Sequence, residues 1–305
     1  MGVSHSPMGF KGEIMRTMSK QAHLAVLAAA VAGLVGIAGP AVAATSTTVT
    51  VNETSLGNGW TLYADNLASG AFVNGPLTPP VGVGSFEFNI PDNGKVTLST
   101  NTVAGQPLSA VDAVSYSTYR ASTSTMPGNV APSLNMEICA GGLAGTTCNG
   151  YTTLVWEPIY AYGTTANGNN PIVNDTWQTW DALGHTSTSY TGGWWSTHAI
   201  PGVPQAFNSF VSLAEIQAAN PDAVILSFGV NVGHGPSGTF NGNADALTLG
   251  LNGDTTVYNF EHAVTLAGKD ECKDGGWMTS TSPTFRNQGD CVSYFASDGK
   301  THPNN

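Results

Sequence analysis

Residues Val111 to Tyr160 constrain this chain most. They read Val-Asp-Ala-Val-Ser-Tyr-Ser-Thr-Tyr-Arg, a loop, Pro-Ser-Leu-Asn-Met-Glu-Ile-Cys, and then Tyr-Thr-Thr-Leu-Val-Trp-Glu-Pro-Ile-Tyr. Each apolar run is short, aromatic or β-branched, and bounded by Gly, Pro, Ser or Asn, which is how strands read. In Leu134-Asn-Met-Glu-Ile138 the alternation is strict, so Leu134, Met136 and Ile138 share one face and Asn135 and Glu137 the other. Three such strands in fifty residues, with no long helical pattern between them, imply antiparallel sheet.

The flanking sequence extends the same pattern. Thr48–Val51, Trp60–Tyr63, Gly70–Val73, Gly82–Ile90 and Lys95–Ser99 all read as strands, with Gly75-Pro-Leu-Thr-Pro-Pro80 a rigid crossing loop because proline gives no ladder donor. Asn93-Gly94 and Asn252-Gly253 are hairpin signals, the second joining Asp245–Gly250 to Thr255–Phe260. Ala223–Val232 is a long apolar strand expected to be buried between two sheets. Ser212-Leu-Ala-Glu215 is a capping box that starts the one convincing helix, Leu213 to Ala219, stopped by Asn220-Pro221. Gly82-x-Gly84 lacks the third glycine and the following helix of a nucleotide-binding loop. The expectation is an all-β, two-sheet antiparallel sandwich of jelly-roll type with one short helix.

The two ends differ from this body. Lys11, Arg16 and Lys20 precede an uncharged Ala/Val/Leu/Gly run, Leu24 to Gly39, and Ala41-Val42-Ala43 is a small-x-small site. Residues 1–43 therefore read as a secretory signal peptide cut after Ala43, too short in its apolar run to span a bilayer, and no later segment is a span. About 262 residues follow, read as a sandwich over 44–266 and a small tail over 267–305. These exported residues carry six Lys and Arg against nineteen Asp and Glu, too few cations to neutralise a run of phosphates. Nucleic acid and anionic lipid surfaces are excluded as partners on that ground.

All four cysteines, Cys139, Cys148, Cys272 and Cys291, lie in the exported part. Export permits disulfides, and four cysteines allow three connectivities. The local pairs Cys139–Cys148 and Cys272–Cys291 are favoured, the second as a staple for a tail too small to hold itself. A zinc site is disfavoured, since neither spacing is C-x2-C and no His is near.

The tail motif K-D-E-C-K-x-G-G-W at Lys269–Trp277, with F-x-N-Q-G-D-C-V-S at Phe285–Ser293, resembles a short tail shared by many secreted bacterial proteins. The segments at Gly75–Ser85, Tyr116–Arg120 and Trp177–Ala182 resemble those of a group of secreted bacterial proteins, a likeness covering most of residues 57–261. That resemblance implies a lectin-like sandwich fold and brings no catalytic residues with it.

Candidate functional residues follow from chemistry. Trp156, Trp177, Trp180, Trp194 and Trp195 fall within forty residues, and exposed indoles stack on the apolar faces of sugar rings. The bland alternative is core, where indoles bury large areas. Trp194 and Trp195, if on a strand, must point to opposite faces, so one is a candidate for exposure. Arg120 either satisfies groups within the fold or grips an acidic sugar. Glu137 and Glu157 are the carboxylates to test for glycoside hydrolysis, which needs the two within roughly 5–9 Å. His185, His198, His234 and His262 are scattered, and no serine sits in G-x-S-x-G. Asp181 and Asp245, together with Asn243 and Asp254, offer loop oxygens for a structural calcium, without EF-hand spacing. The reading is a secreted, non-enzymatic sandwich binding glycan or a cell-envelope polymer. Its alternatives are an extracellular structural protein without a specific ligand and a carbohydrate-active hydrolase.

Overall fold

The computed structural model describes residues 44–163, 170–183, 193–203 and 209–299; the expected signal peptide, most of the Gly/Asn/Thr tract after Gly163, and His185 lie outside these. The first strands in chain order are β1 Ser46–Val51, β2 Trp60–Asp65, β3 Ser69–Asn74, β4 Gly84–Ile90, β5 Lys95–Thr100, β6 Val111–Arg120 and β7 Ser133–Cys139. There follow β8 Leu143–Ala144, β9 Thr147–Cys148, β10 Tyr151–Trp156, β11 Trp177–Asp181 and β12 Trp194–Ser196. The last are β13 Val224–Gly233, β14 Phe240–Leu251 and β15 Asp254–Phe260. Helices are α1 Pro158–Tyr162, α2 Leu213–Ala219 and α3 Gln288–Ala296. No helix among the described residues is long and apolar enough to cross a membrane.

The strands form a two-sheet sandwich. One sheet has six strands in the order β12-β10-β7-β13-β5-β2, every neighbour antiparallel. The other has seven and is organised on β14, which pairs along one flank with β6, and β6 in turn with β11. On its other flank β14 pairs first with β4 and then with β15, and β3 and β1 lie beyond these two. The expected antiparallel rule has one exception, since β1 runs parallel to β15.

Alternation along each strand turns the apolar residues inward. Leu134, Met136 and Ile138 on β7, Leu154 and Trp156 on β10, and Phe228 and Val230 on β13 are fully buried. They meet Phe86, Phe88, Tyr116, Phe240 and Phe260 from the other sheet in one core. Edge-to-face aromatic contacts run through it, with ring centroids 5.2 Å apart for Trp60 and Tyr258 and 5.1 Å for Phe86 and Phe88.

Two expectations about connections separate here. Asn252-Gly253 makes the expected tight hairpin, both residues at positive φ, between Leu251 and Asp254. Asn93-Gly94 also turns the chain, but β4 and β5 enter opposite sheets. The dipeptide specifies a reversal, and the core decides whether the two arms pair. β13 differs from its expectation too. It is central in the six-stranded sheet with one face in the core, while Ser227, Gly229 and Asn231 alternate onto the other.

At the join of β4 and β15, Asp245 is sealed at 0% exposure and accepts the backbone N–H of Phe260 (3.0 Å) and of Val81 (3.2 Å). Burial pushes its carboxyl up to about 6, against the pull of those N–H donors. Gly82 is required beside it: a Cβ there would sit 1.6 Å from Glu261 Oε1, in a backbone conformation with φ of +66°.

Cys139 is bonded to Cys148, closing the loop after β7 over the small β8–β9 hairpin, and Cys272 to Cys291. The tail has a separate small core of Leu266, Cys272, Phe285 and Cys291, flanked by Trp277 and Phe295. It also contains a helix that the sequence pattern did not announce, α3, whose first turn is capped by the Asn287 side chain accepting from the Asp290 N–H.

Candidate functional site

The outward face of the six-stranded sheet is polar, and register assembles it. One row across the strands contains Thr97, Asn231 and Ser133, with Glu157 continuing from β10. The next row contains Ser99, Gly229, Asn135, Val155 and Trp195. Each of these residues is outward because its strand neighbour is a core residue. Gly229 has no alternative, since a Cβ there would lie 2.1 Å from the Leu98 carbonyl oxygen.

A groove of about 490 Å³ lies on this face, lined by Lys95, Asn135, Glu157, Tyr160, Trp195 and Asn231, with the His234–Pro236 loop on one rim. A smaller pocket of about 130 Å³ shares Glu157, Tyr160 and Asn231 and continues to Met126 and Asn129. The floor is a ladder of uncharged donors and acceptors. Thr97 Oγ1 donates to Asn231 Oδ1 at 2.8 Å, and Ser133 Oγ donates to Asn135 Oδ1 at 3.0 Å. Asn231 Nδ2 in turn donates to Ser133 Oγ at 3.4 Å, and the hydrogen-bonding capacity these three bonds do not use is left for a ligand.

One end of the groove is aromatic and acidic. Trp195 donates its indole N–H to Glu157 Oε2 at 3.1 Å, and Tyr160 stacks on Phe210 with ring centroids 4.5 Å apart. Burial pushes the Glu157 carboxyl up to about 7, the Trp195 bond acting in the opposite sense. Glu157 begins α1, where Pro158 at the first helical position carries the chain off the sheet and sets Tyr160 over the groove. At the other end, His234 Nε2 lies 3.0 Å from Asp65 Oδ2, and Lys95 Nζ lies 5.8 Å from the centre of the Tyr63 ring.

Of the residues singled out from sequence, the groove collects Glu157, His234 and Trp195. Trp194, its strand neighbour, is fully buried and donates to the Ala182 carbonyl at 2.8 Å. Trp180 is buried, with its N–H on Thr118 Oγ1, and Trp177 leans on Tyr119 with its N–H on the Pro76 carbonyl. Both belong to β11 in the seven-stranded sheet and stand apart from the groove. Arg120 takes the internal role. It is 3% exposed, and its guanidinium donates to Asn174 Oδ1 (2.8 Å), the Met126 carbonyl (2.6 Å) and the Val130 carbonyl (3.1 Å). A guanidinium sealed in this way is out of a sugar's reach.

Asp181 and Asp245 do not make a calcium site together. Their strands, β11 and β14, lie on opposite sides of β6, and Asp245 is committed to backbone N–H groups. Among the described residues no cluster of three or more His, Cys, Asp or Glu could hold a metal ion. Glu137 and Glu157 share the outer face but stand four residues apart in register, ~13 Å along the strands. Glu137 accepts from Tyr151 and Ser227 instead. The carboxylate pair of a glycosidase is not formed by these two. His198, His234 and His262 fall in three separate places, His262 beside Glu53.

Sequence reasoning missed Asn231, Ser133, Tyr160 and Lys95. The signal for the first two was available as the polar phase of strands picked for their apolar phase.

No family profile matches the chain, and no curated protein does either. Among solved structures, the chain is similar to β-sandwich carbohydrate-binding modules. One, described for the promiscuous specificity of such modules, is 14% identical over 67% of this chain and 62% of that one, less than two thirds of its length, with a TM-score of 0.33. A family 11 module from Clostridium thermocellum, in complex with a β-1,3-1,4-mixed-linked tetrasaccharide, is 12% identical over 61% of this chain and 85% of its own, at 0.32. A module in complex with β-1,4-galactotriose is 13% identical over 63% and 88%, at 0.24. Likenesses this distant leave the ligand to be read from the groove.

Proposed function

We propose that this chain is a non-enzymatic carbohydrate-binding β-sandwich that works outside the cell, and that its site is the outer groove of the six-stranded sheet. The carrying observation is the floor: an amide and hydroxyl ladder of Thr97, Asn231, Ser133 and Asn135 beneath a Trp195 and Tyr160 wall. Sugars present hydroxyls that both donate and accept, together with apolar ring faces, and this surface offers a partner for each. Because the ladder lies on paired strands, its donors are held before the ligand arrives, which limits the ordering cost of binding. The two disulfides support an oxidising, extracellular setting and the expected export signal. A polymer of the cell envelope is the proposed natural ligand.

The test is a glycan-array screen of the purified protein, followed by titration of the hits with two tryptophan variants. Trp195→Ala should weaken binding at least tenfold while the melting temperature changes by only a few degrees. Trp194→Ala should cost about 3–5 kcal/mol of stability, because it empties a fully buried indole site. A blank array, or binding indifferent to Trp195→Ala, would move the site elsewhere or favour a structural role without a specific ligand.

A further inference from the structure

Residues 44–268 contain fourteen Asp and Glu but only two Lys or Arg, Lys95 and Arg120. Arg120 is interior and hydrogen-bonded to the β6–β7 loop carbonyls and Asn174. The sandwich body therefore keeps a single lysine or arginine for its surface, and that residue lines the groove.

Lys95 Nζ leans over the Tyr63 ring, 5.8 Å from its centre, a contact that leaves its charge unneutralised. Asp65, directly opposite across β2 and β5, uses Oδ2 for both the Tyr63 hydroxyl (2.9 Å) and His234 Nε2 (3.0 Å), while its buried Oδ1 has no hydrogen-bond partner and makes no ion pair with Lys95. Among the described residues Lys95 has no ion pair. Glu157 lies three strand spacings across and two residues along the sheet, ~16 Å between backbone positions, and makes no ion pair with Lys95. Gly233, paired with Lys95 on the other side, has no side chain to cover it. Nor does sheet protection explain the lysine. Charged residues blunt exposed edges, and β5 is an interior strand between β13 and β2.

We propose that the groove takes a glycan bearing carboxylates, of the uronic-acid class, and that Lys95 receives one of them. The proposal rests on the glycan reading above and adds the ligand's charge and direction. A chain this acidic repels a carboxylated polymer almost everywhere on its surface. On the sandwich body the one lysine or arginine placed to attract it stands at the Lys95 end, beside Asp65, the other exported cations lying in the tail at Lys269, Lys273, Arg286 and Lys300. The sugar that carries the carboxylate is thereby set over β5, with its neighbours running toward Trp195.

The experiment pairs oligogalacturonate, oligomannuronate and glucuronoxylan oligosaccharides with their carboxyl-reduced, neutral counterparts, titrated against wild type, Lys95→Gln and Lys95→Arg. Wild type should bind at least one acidic form about 10-fold or more tighter than its neutral partner, an advantage that shrinks with added salt. Lys95→Gln should abolish the preference, its acidic and neutral forms then binding alike, and Lys95→Arg should restore it. Equal binding of acidic and neutral forms, or a preference that survives Lys95→Gln, would overturn the proposal and leave the glycan reading standing. Failure of every acidic and neutral glycan, on a protein that melts cooperatively, would overturn both.

Discussion

Glu157→Gln isolates the one carboxyl in the groove that titrates near neutrality. Its native value of about 7, against an ordinary 4.5, means that folding favours the protonated form. Between those two values the native state binds more protons than the unfolded chain, so stability falls as pH rises. The contribution is present in full below about 4.5 and is lost as pH passes 7. The gap between the ordinary 4.5 and about 7 corresponds to about 3 kcal/mol as a ceiling. Water reaching Glu157 through the open groove screens this, and about 1–2 kcal/mol is the expected loss in wild type by pH 8. Glutamine keeps an oxygen for the Trp195 N–H and cannot ionise, so the variant should escape the loss. Asp245 titrates in the same direction, but its carboxyl at about 6 completes its change earlier, and both proteins share it. Urea denaturation at pH 5, 6, 7 and 8, with the m-value checked for constancy, gives the difference directly. The two proteins should agree near pH 5 and diverge by about 1–2 kcal/mol at pH 8, with the variant the more stable. Curves that stay parallel across the range would refute a raised Glu157 value and the burial that causes it.

Two further outcomes test the frame around the groove. Arg120→Met should cost about 3–5 kcal/mol by denaturant unfolding, because it strands the Met126 and Val130 carbonyls and Asn174 without a donor. Met126 and Val130 line the smaller pocket, so crystals of the variant should show that rim displaced; unchanged stability would refute the internal role. Cys272→Ser with Cys291→Ser should remove about 3 kcal/mol from the tail, the loop-closure value for a separation of 19 residues, and limited proteolysis should then cut near Lys269–Lys273 while the sandwich survives. Cleavage that begins within the sandwich would show that the tail is not held by its disulfide.

The sequence by itself determined what is local. Strict alternation in Leu134–Ile138 names the inward face of β7, since side chains on a strand can only alternate. The Ser212/Glu215 capping box places α2, and the short spacings favour the two disulfides that form. It also required that Trp194 and Trp195, if on a strand, point to opposite faces, as they do, Trp194 into the core and Trp195 half-buried in the groove.

What only the tertiary structure decided is which strands become neighbours, because pairing is a contest among distant partners sharing one core. Asn93-Gly94 and Asn252-Gly253 are the same dipeptide, yet one crosses between sheets and the other closes a hairpin. Lys95, Ser133, Glu157 and Asn231 share no local motif, and they meet because register lays β5, β13, β7 and β10 side by side. Arg120, the obvious cation in sequence, went inside because the β6–β7 loop folds its carbonyls onto the guanidinium. That left Lys95, and with it the charge of the groove, to be found only in three dimensions.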